Sequence, residues 1–221
     1  MAGILSPSVM CADLLNLGEE IKILDDLGVK YLHIDFMDNK FVPNITFDTN
    51  MVRSFKKAMK NIKRDIHIMA FEPQQFFDAM EIGKDDFVSV HFEACENPHA
   101  VLKEIKDRGA LPVLAISPDT PVETVVDFLD EVYAILLMTV YPGFAGQPMA
   151  PKSMERLSQL KEIITNSGKD VKIEVDGHVS WDHCVEMRQR GGDIFVAGSS
   201  SVYGKDLTMD KAVEKFNDLV K

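Results

Sequence analysis

The feature that most constrains the fold is a repeated alternation of short β-rich runs with longer segments of helical pattern. In several of these segments apolar residues recur at helical spacing, as Leu14, Leu17, Ile21 and Leu24 do. PVETVVDFLDE, residues 121–131, is another predicted helix. Eight strand–helix units predict a single (β/α)8 barrel, and an open doubly wound sheet is the alternative with the same alternation. The predicted strands are residues 4–9, 30–36, 65–69, 86–91, 111–116, 133–140, 171–175 and 193–197.

Length and composition agree with this fold and exclude some partners. The chain has 221 residues and no linker-like segment, so residues 1–221 are expected to form one domain. A net charge of −11 argues against a nucleic-acid partner, which requires a basic surface. No apolar run could span a bilayer and no secretory signal stands at the start, so we expect a cytoplasmic protein with no membrane partner.

Polar residues at the ends of the predicted strands are the candidates for function, because those ends form the active face of a barrel. His33 and Asp35 are two residues apart in an apolar strand and therefore point to the same side. His67 lies in the third predicted strand and Asp176 follows the seventh. Singly, such residues are more often structural. Together, two imidazoles and two carboxylates form a suitable site for a divalent metal ion such as Zn²⁺, Fe²⁺, Mn²⁺ or Co²⁺.

Glycine-bearing turns follow each of the last three predicted strands. They are VYPGFAGQP at residues 140–148, VDGHV at residues 175–179 and VAGSSS at residues 196–201. Glycine leaves backbone N–H groups free to face an anion, and loops after the last strands commonly bind phosphate in such barrels. One turn alone would indicate little, because Pro-Gly is a common turn pair. Three turns at neighbouring strand ends favour a phosphate site.

Longer stretches of the sequence resemble the ribulose-phosphate 3-epimerase family over essentially the whole chain. The matching stretches include LSPSVMCADLLNL, YLHIDFMDNKFVPNITF, IHIMAFEP, VHFEA, LLMTVYPGFAGQP, IEVDG and FVAGSSSVY. The resemblance implies a TIM barrel that epimerises C3 of a ketose phosphate, which is an isomerase activity. It also implies one divalent metal ion held by His33, Asp35, His67 and Asp176. Zinc is the first choice, with Fe, Mn, Co or Mg as the others.

The resemblance further implies the catalytic pair, the substrate contacts and the assembly. Asp35 and Asp176 would be the acid–base pair. A homo-oligomer is expected because barrels of this kind commonly associate, and the loop at residues 39–47 is a candidate lid. The implied substrate-binding residues are Ser8, His67, Met37, Met69, Met138, Gly143, Phe144, Ala145, Gly146, Gly177, His178, Gly198 and Ser199.

The implied reaction explains why these residue types are needed. Removing the C3 proton beside a ketone leaves negative charge on two adjacent oxygens, which a chelated metal ion stabilises. Inversion needs a base on one face of C3 and an acid on the other, so two carboxylates are expected on opposite sides. Asp35 lies in the second predicted strand and Asp176 follows the seventh, which suits this arrangement.

Three departures from the common family pattern bear on the substrate. Where the family usually has NPGFGGQ, this chain has YPGFAGQ, with Tyr141 and Ala145. The usual VDGGV is replaced by VDGHV, with His178, and the usual NPxTP by SPDTP, with Ser117. FAGQP and the residue after EVDG resemble the D-allulose-6-phosphate 3-epimerase branch, which gives fructose 6-phosphate. HFEA resembles the pentose branch, which interconverts ribulose 5-phosphate and xylulose 5-phosphate. The allulose branch is slightly favoured. A metal-dependent hydrolase, a metal-free phosphate-binding barrel and a silent binding protein are the alternatives.

Overall fold

The computed structural model describes residues 2–221 and contains one eight-stranded parallel sheet. Its strands follow each other around the sheet in the order β1-β8-β7-β6-β5-β4-β3-β2. A parallel bridge between Ser8 and His33 joins the two ends of this order. The fold is therefore the predicted (β/α)8 TIM barrel, and the doubly wound alternative is wrong. The strands are β1 (Ile4–Pro7), β2 (Tyr31–Met37), β3 (Lys63–Met69), β4 (Phe87–His91), β5 (Leu111–Ile116), β6 (Ala134–Met138), β7 (Lys172–Asp176) and β8 (Ile194–Ala197).

Helices surround the sheet and bury their apolar side chains against its outer face in one large cluster. Caps mark where several begin: the Asp48 carboxylate accepts the Met51 N–H at 2.8 Å at the start of α2. The helices are α1 (Leu17–Asp26), α2 (Thr49–Ala58), α3 (Phe77–Met80), α4 (Pro98–Asp107), α5 (Ser153–Ser167), α6 (Trp181–Gln189) and α7 (Met209–Leu219). Four 3₁₀ segments complete the elements, at Val9–Cys11, Pro73–Phe76, Phe92–Ala94 and Val122–Phe128.

Two details of the predicted helices are wrong. The segment at 121–131 forms the 3₁₀ helix Val122–Phe128, whose buried residues Val122, Val125 and Phe128 recur every three positions. That spacing matches the three-residue turn of a 3₁₀ helix. Leu14 is 58% exposed and precedes α1. It lies in a turn in which the Asp13 carboxylate accepts the Leu15 N–H at 3.0 Å, and this local bond competes with helix formation.

Side chains inside the barrel form an apolar layer below a polar one. In the lower layer Tyr31 stacks on Phe87 with ring centroids 3.9 Å apart, and Phe87 stacks on Tyr133 at 5.0 Å. Two residues further along β2, His33 is fully buried in the polar layer. Alternate residues of a strand face inward, so Tyr31 and His33 are successive inward-facing residues of β2, and the polar residue is the one nearer the carboxyl end. The polar layer therefore lies towards the carboxyl ends of the strands.

The other whole-chain predictions have different outcomes. In residues 2–221, no helix has the length and apolar character needed to cross a membrane. The thiols of Cys11, Cys95 and Cys184 are free. That residues 1–221 form one domain stays a prediction, and Met1 lies outside the described residues.

Candidate active site

The structure brings the four predicted metal ligands together at the carboxyl-terminal mouth of the barrel. One ligand atom from each of His33, Asp35, His67 and Asp176 lies within 4.8 Å of the others. The Nε2 atom of His33 lies 3.3 Å from Asp35 Oδ1 and 3.8 Å from Asp176 Oδ2. The Nδ1 atom of His67 lies 3.4 Å and 3.5 Å from the same two oxygens. The site thus combines residues from β2, β3 and β7.

This arrangement fits a divalent metal ion. The Nε2 atom of His33 and the Nδ1 atom of His67 are buried without a hydrogen-bond partner among the described residues. Leaving a buried polar atom unpaired costs free energy, and two facing carboxylates repel each other. A divalent cation would accept both nitrogen lone pairs and neutralise both carboxylates. Two imidazole nitrogens and two carboxylate oxygens are donors that Zn²⁺, Fe²⁺, Mn²⁺ and Co²⁺ accept.

The charges of the metal-free site depend strongly on one another. Burial lowers the pKa of His33, but the carboxylates of Asp65 and Asp35 outweigh it and hold that pKa well above its usual value. Burial also lowers the pKa of His67, while the carboxylates of Asp176 and Asp35 beside its Nδ1 raise it to about 9. Burial raises the pKa of Asp35, yet the His33 cation more than offsets this and holds it below its usual range. Protons and metal therefore compete for the same imidazole nitrogens.

We expect metal affinity to rise with pH while the stability of the metal-free protein falls. The pKa of His67 is raised to about 9 in the folded state, against about 6.5 in an unfolded chain. Its protonation therefore stabilises the metal-free fold fully below about pH 6.5, and this contribution is lost as pH rises towards the folded pKa. A metal must displace that proton, so affinity gains up to about tenfold per pH unit in this window. Calorimetric titration with Mn²⁺ between about pH 6.5 and about pH 9 measures the metal affinity. Melting curves of the metal-free protein over the same range measure its stability. An affinity that does not change with pH would contradict the assignment of His67 as a metal ligand.

A cavity above these ligands is lined by nearly all the residues that the sequence assigns to substrate binding. His67 is the exception, because it is fully buried and does not line the cavity. Asp35 and Asp176 reach the lining, and the Ser8 hydroxyl donates to Asp35 Oδ2 at 2.8 Å. The predicted residues in the lining are Ser8, Met37, Met69, Met138, Gly143, Phe144, Ala145, Gly146, Gly177, His178, Gly198 and Ser199.

The turn after β7 requires glycine at position 177. Gly177 has a φ of +114°, and a Cβ there would lie 2.7 Å from Val140 Cγ2 and 2.8 Å from Thr139 Oγ1. The Thr139 N–H also donates to the Asp176 carbonyl at 2.7 Å, which holds the turn close to the end of β6. Neither the backbone angle nor the space suits another residue. Glycine therefore allows the backbone after Asp176 to lie against β6.

His178 fits the same turn without filling the cavity. Its φ is +48°, and its Nδ1 lies 2.9 Å from the Gln147 carbonyl oxygen. The Gln147 amide donates in turn to the carbonyl oxygens of Tyr141 at 2.6 Å and Phe144 at 2.8 Å. The imidazole thus ties the turn after β7 to the turn after β6. The turn therefore accommodates a histidine side chain where the common family pattern has glycine.

Gly177→Ala is expected to destabilise the protein by about 1–3 kcal/mol through overpacking and to raise KM for a sugar phosphate at least severalfold. Gly168→Ala is the matched control, because Gly168 has a φ of +69° but no atom within 4 Å of the place that an added Cβ would occupy. Both variants carry backbone strain, and only Gly177→Ala displaces Val140. Thermal melts and steady-state kinetics measure the two effects. Equal KM values for the two variants would separate Gly177 from substrate binding.

A second set of buried polar residues, not identified from the sequence, lies beneath the ligands. Asp65 Oδ2 lies 2.8 Å from His33 Nδ1 and accepts the Ser6 hydroxyl at 2.7 Å. Glu174 Oε1 lies 3.7 Å from His33 Nδ1, and burial together with the Asp65 charge raises the pKa of Glu174 to about 8. The signal was in the sequence: Ser6, Asp65 and Glu174 each precede an assigned site residue by two positions, so they share its face.

Comparison with known proteins decides the family. Residues 4–203 match the model of the ribulose-phosphate 3 epimerase family. The chain belongs to the ribulose-phosphate 3-epimerase family. A ribulose-phosphate 3-epimerase of Methanocaldococcus jannaschii is 36% identical over 199 residues, which cover 90% of this chain and 83% of that protein. One of Bacillus subtilis is 36% identical over 201 residues, which cover 90% of this chain and 92% of that protein. The chain is therefore an epimerase, an enzyme of the isomerase class, in a family that depends on divalent metal.

Solved structures of other enzymes share the fold of this epimerase at low sequence identity. Thiamine phosphate pyrophosphorylase from Pyrococcus furiosus has a TM-score of 0.67 at 13% identity, covering 99% of this chain and 95% of that one. A tryptophan synthase structure from Mycobacterium tuberculosis has a TM-score of 0.67 at 11% identity, covering 99% and 93%. These likenesses support the barrel and carry no argument about chemistry.

Proposed function

We propose that this epimerase interconverts D-ribulose 5-phosphate and D-xylulose 5-phosphate by inverting C3. The observation that carries the reaction is the meeting of Asp35 and Asp176, from β2 and β7, at the floor of one cavity beside two imidazoles. The curated relatives described above are named for ribulose phosphate, which supports the pentose as substrate. The sequence motifs favoured the hexose, and that preference becomes the second candidate below.

Asp35 and Asp176 are proposed to hold and move the proton at C3. One carboxylate takes the proton from one face, and the other delivers a proton to the opposite face. The Ser8 hydroxyl, donating to Asp35 Oδ2 at 2.8 Å, orients one of them. A divalent ion held by His33, His67 and the two aspartates would stabilise the negative charge that develops on the C2 and C3 oxygens.

The rest of the cavity is proposed to bind and enclose the substrate. Backbone N–H groups of the turns at 143–146, 177–178 and 198–199 would hold the phosphate locally. A local site is needed because the net charge of −11 repels anions at long range. Met37, Met69 and Met138 line the cavity and would exclude water around the planar intermediate. Zinc remains the first choice of metal. A homo-oligomer and a cytoplasmic location stay predictions.

D-allulose 6-phosphate, converted to D-fructose 6-phosphate, is the second candidate. Ala145 and His178 favour it, because both line the cavity at positions where the common family pattern has glycine. The chemistry at C3 would be the same, and the hexose has one more hydroxyl-bearing carbon between C3 and the phosphate. Family membership favours an epimerase over a metal-dependent hydrolase, a metal-free phosphate-binding barrel or a silent binding protein.

NMR in D₂O with metal-loaded enzyme tests the proposal. D-ribulose 5-phosphate and D-fructose 6-phosphate are incubated separately, and C3 deuteration and epimer formation are followed. Fast turnover of the pentose alone supports the proposal, whereas fast turnover of the hexose alone replaces it with the second candidate. Protein stripped by a chelator should lose turnover and regain it with added Zn²⁺ or Mn²⁺. Exchange in neither tube, with bound metal confirmed, would contradict both substrates.

A further inference from the structure

His67 has a second buried neighbour that the proposed mechanism does not use. Its Nδ1 faces Asp35 and Asp176, and its Nε2 lies 2.9 Å from His91 Nε2. The Nδ1 of His91 lies 3.2 Å from Glu93 Oε2. Both imidazoles are fully buried, and their ring planes are nearly parallel, with an angle of 23° between them and centroids 5.0 Å apart. The three side chains form a line that runs from the proposed metal site into the loop after β4.

The protons along this line can be placed by elimination. Two imidazole nitrogens at hydrogen-bond distance need one proton between them, and a metal ligand nitrogen must carry none. If His67 Nδ1 is the ligand atom, the His67 proton sits on Nε2 and donates to His91 Nε2. The proton of His91 then sits on Nδ1 and donates to the Glu93 carboxylate, which can only accept. The opposite arrangement would put a proton on His67 Nδ1 and block the ligand atom.

We propose that His91 and Glu93 are positioning residues that fix the tautomer of His67, so that its Nδ1 is free to bind the metal ion. This inference rests on the proposed function, because it needs the metal site. Neither residue touches the cavity, so neither is assigned a contact with substrate. Partners of this kind commonly orient metal-bound imidazoles and raise their basicity.

The loop after β5 holds Glu93 in the accepting role. Glu93 Oε1 accepts the Ser117 N–H at 2.8 Å and the Thr120 hydroxyl. Arg156 holds that loop, donating to the carbonyl oxygens of Thr120 at 2.6 Å and Ser117 at 3.0 Å. Burial raises the pKa of Glu93, but hydrogen bonds from His91, Thr120 and Ser117 bring it to about 2. The SPDTP stretch therefore gains a role, which is to keep an ionised acceptor behind His91.

A matched pair of variants tests the inference. Gln and Met have similar volume, but only Gln offers an oxygen that can accept the His67 Nε2 proton. The affinity of each variant for Co²⁺ is measured by competition with a chromophoric chelator. His91→Met is expected to lose affinity by about 10–100-fold, and His91→Gln to stay within a few-fold of the unaltered enzyme. The Co²⁺ affinity of Glu93→Gln should lie between those of the two His91 variants, because the new amide can present either a donor or an acceptor to His91.

Long-range ¹H–¹⁵N NMR of the Zn²⁺-loaded enzyme reads the tautomers directly and does not require any variant to fold. We expect His67 protonated at Nε2 and His91 at Nδ1. A proton on His91 Nε2, or equal Co²⁺ affinities for His91→Met and His91→Gln, would overturn the inference and leave the proposed function standing. Failure of the proposed function would look different, because the unaltered enzyme would bind no stoichiometric metal and His33→Ala would leave Co²⁺ binding unchanged. That result would contradict both the proposed function and this inference.

Discussion

Asp176→Asn is expected to lower kcat for C3 inversion by about 10²–10⁴-fold, the usual contribution of a positioned proton-transfer group. Asn keeps the shape and one ligand oxygen of Asp176 but cannot take or deliver the proton. Asp35→Asn should have an effect of similar size, because inversion needs both faces of C3. Asp182→Asn is the control, since Asp182 is exposed in the first turn of α6, close in sequence to the same mouth.

Isotope exchange separates this role from a structural one. With one carboxylate left, the enzyme should still exchange the C3 proton of one epimer with D₂O while failing to invert it. Asp35→Asn and Asp176→Asn should therefore retain exchange in opposite epimers. Bound metal is measured in each variant, so that loss of the ion is not mistaken for loss of the acid. If the Asp176→Asn variant still exchanges the C3 proton of both substrate epimers, Asp176 is not half of the acid–base pair.

The fold could be predicted because its signals are local. Strands and helices differ in the period of their apolar residues, and eight repeats of that alternation leave few architectures. The failures were local too. Leu14 matched the spacing of α1 but belongs to a turn held by Asp13. Val122, Val125 and Phe128 suit both a helix and a 3₁₀ segment, and the difference depends on backbone hydrogen bonds that spacing does not determine.

The site could be predicted only in part. Residues that are two apart on a strand point to the same face, so His33 and Asp35 were paired correctly from sequence. Closure of the barrel through Ser8 and His33 is a long-range contact, and it determines that β2 and β7 face one cavity. His91 is the last residue of the predicted strand 86–91, yet its contact with His67 depends on side-chain directions that sequence does not give.

The largest expected loss of stability comes from a buried ion pair on the outer face of the sheet. The guanidinium of Arg64 on β3 contacts Asp86 twice, at 3.0 Å through Nε and 2.5 Å through Nη2. Its remaining donors reach the carbonyl oxygens of Val52, Met80 and Glu81, which lie in or just after α2 and α3. Both charged groups are almost completely buried. The pair therefore anchors two helices to the barrel wall.

Asp86→Ala is expected to destabilise the protein by about 3–5 kcal/mol, because it leaves the Arg64 charge buried without a counter-ion. Asp78→Ala is the matched control: Asp78 pairs with Arg108 at 2.7 Å, but its side chain is 90% exposed. Exposed pairs contribute about 0–1 kcal/mol, so this variant should unfold near the denaturant midpoint of the unaltered protein. The double variant Arg64→Met/Asp86→Leu should regain part of the loss, since no charge remains buried, but not the bonds to three carbonyls. Chemical denaturation measures all three, and a loss no greater for Asp86→Ala than for Asp78→Ala would show that water still reaches Arg64.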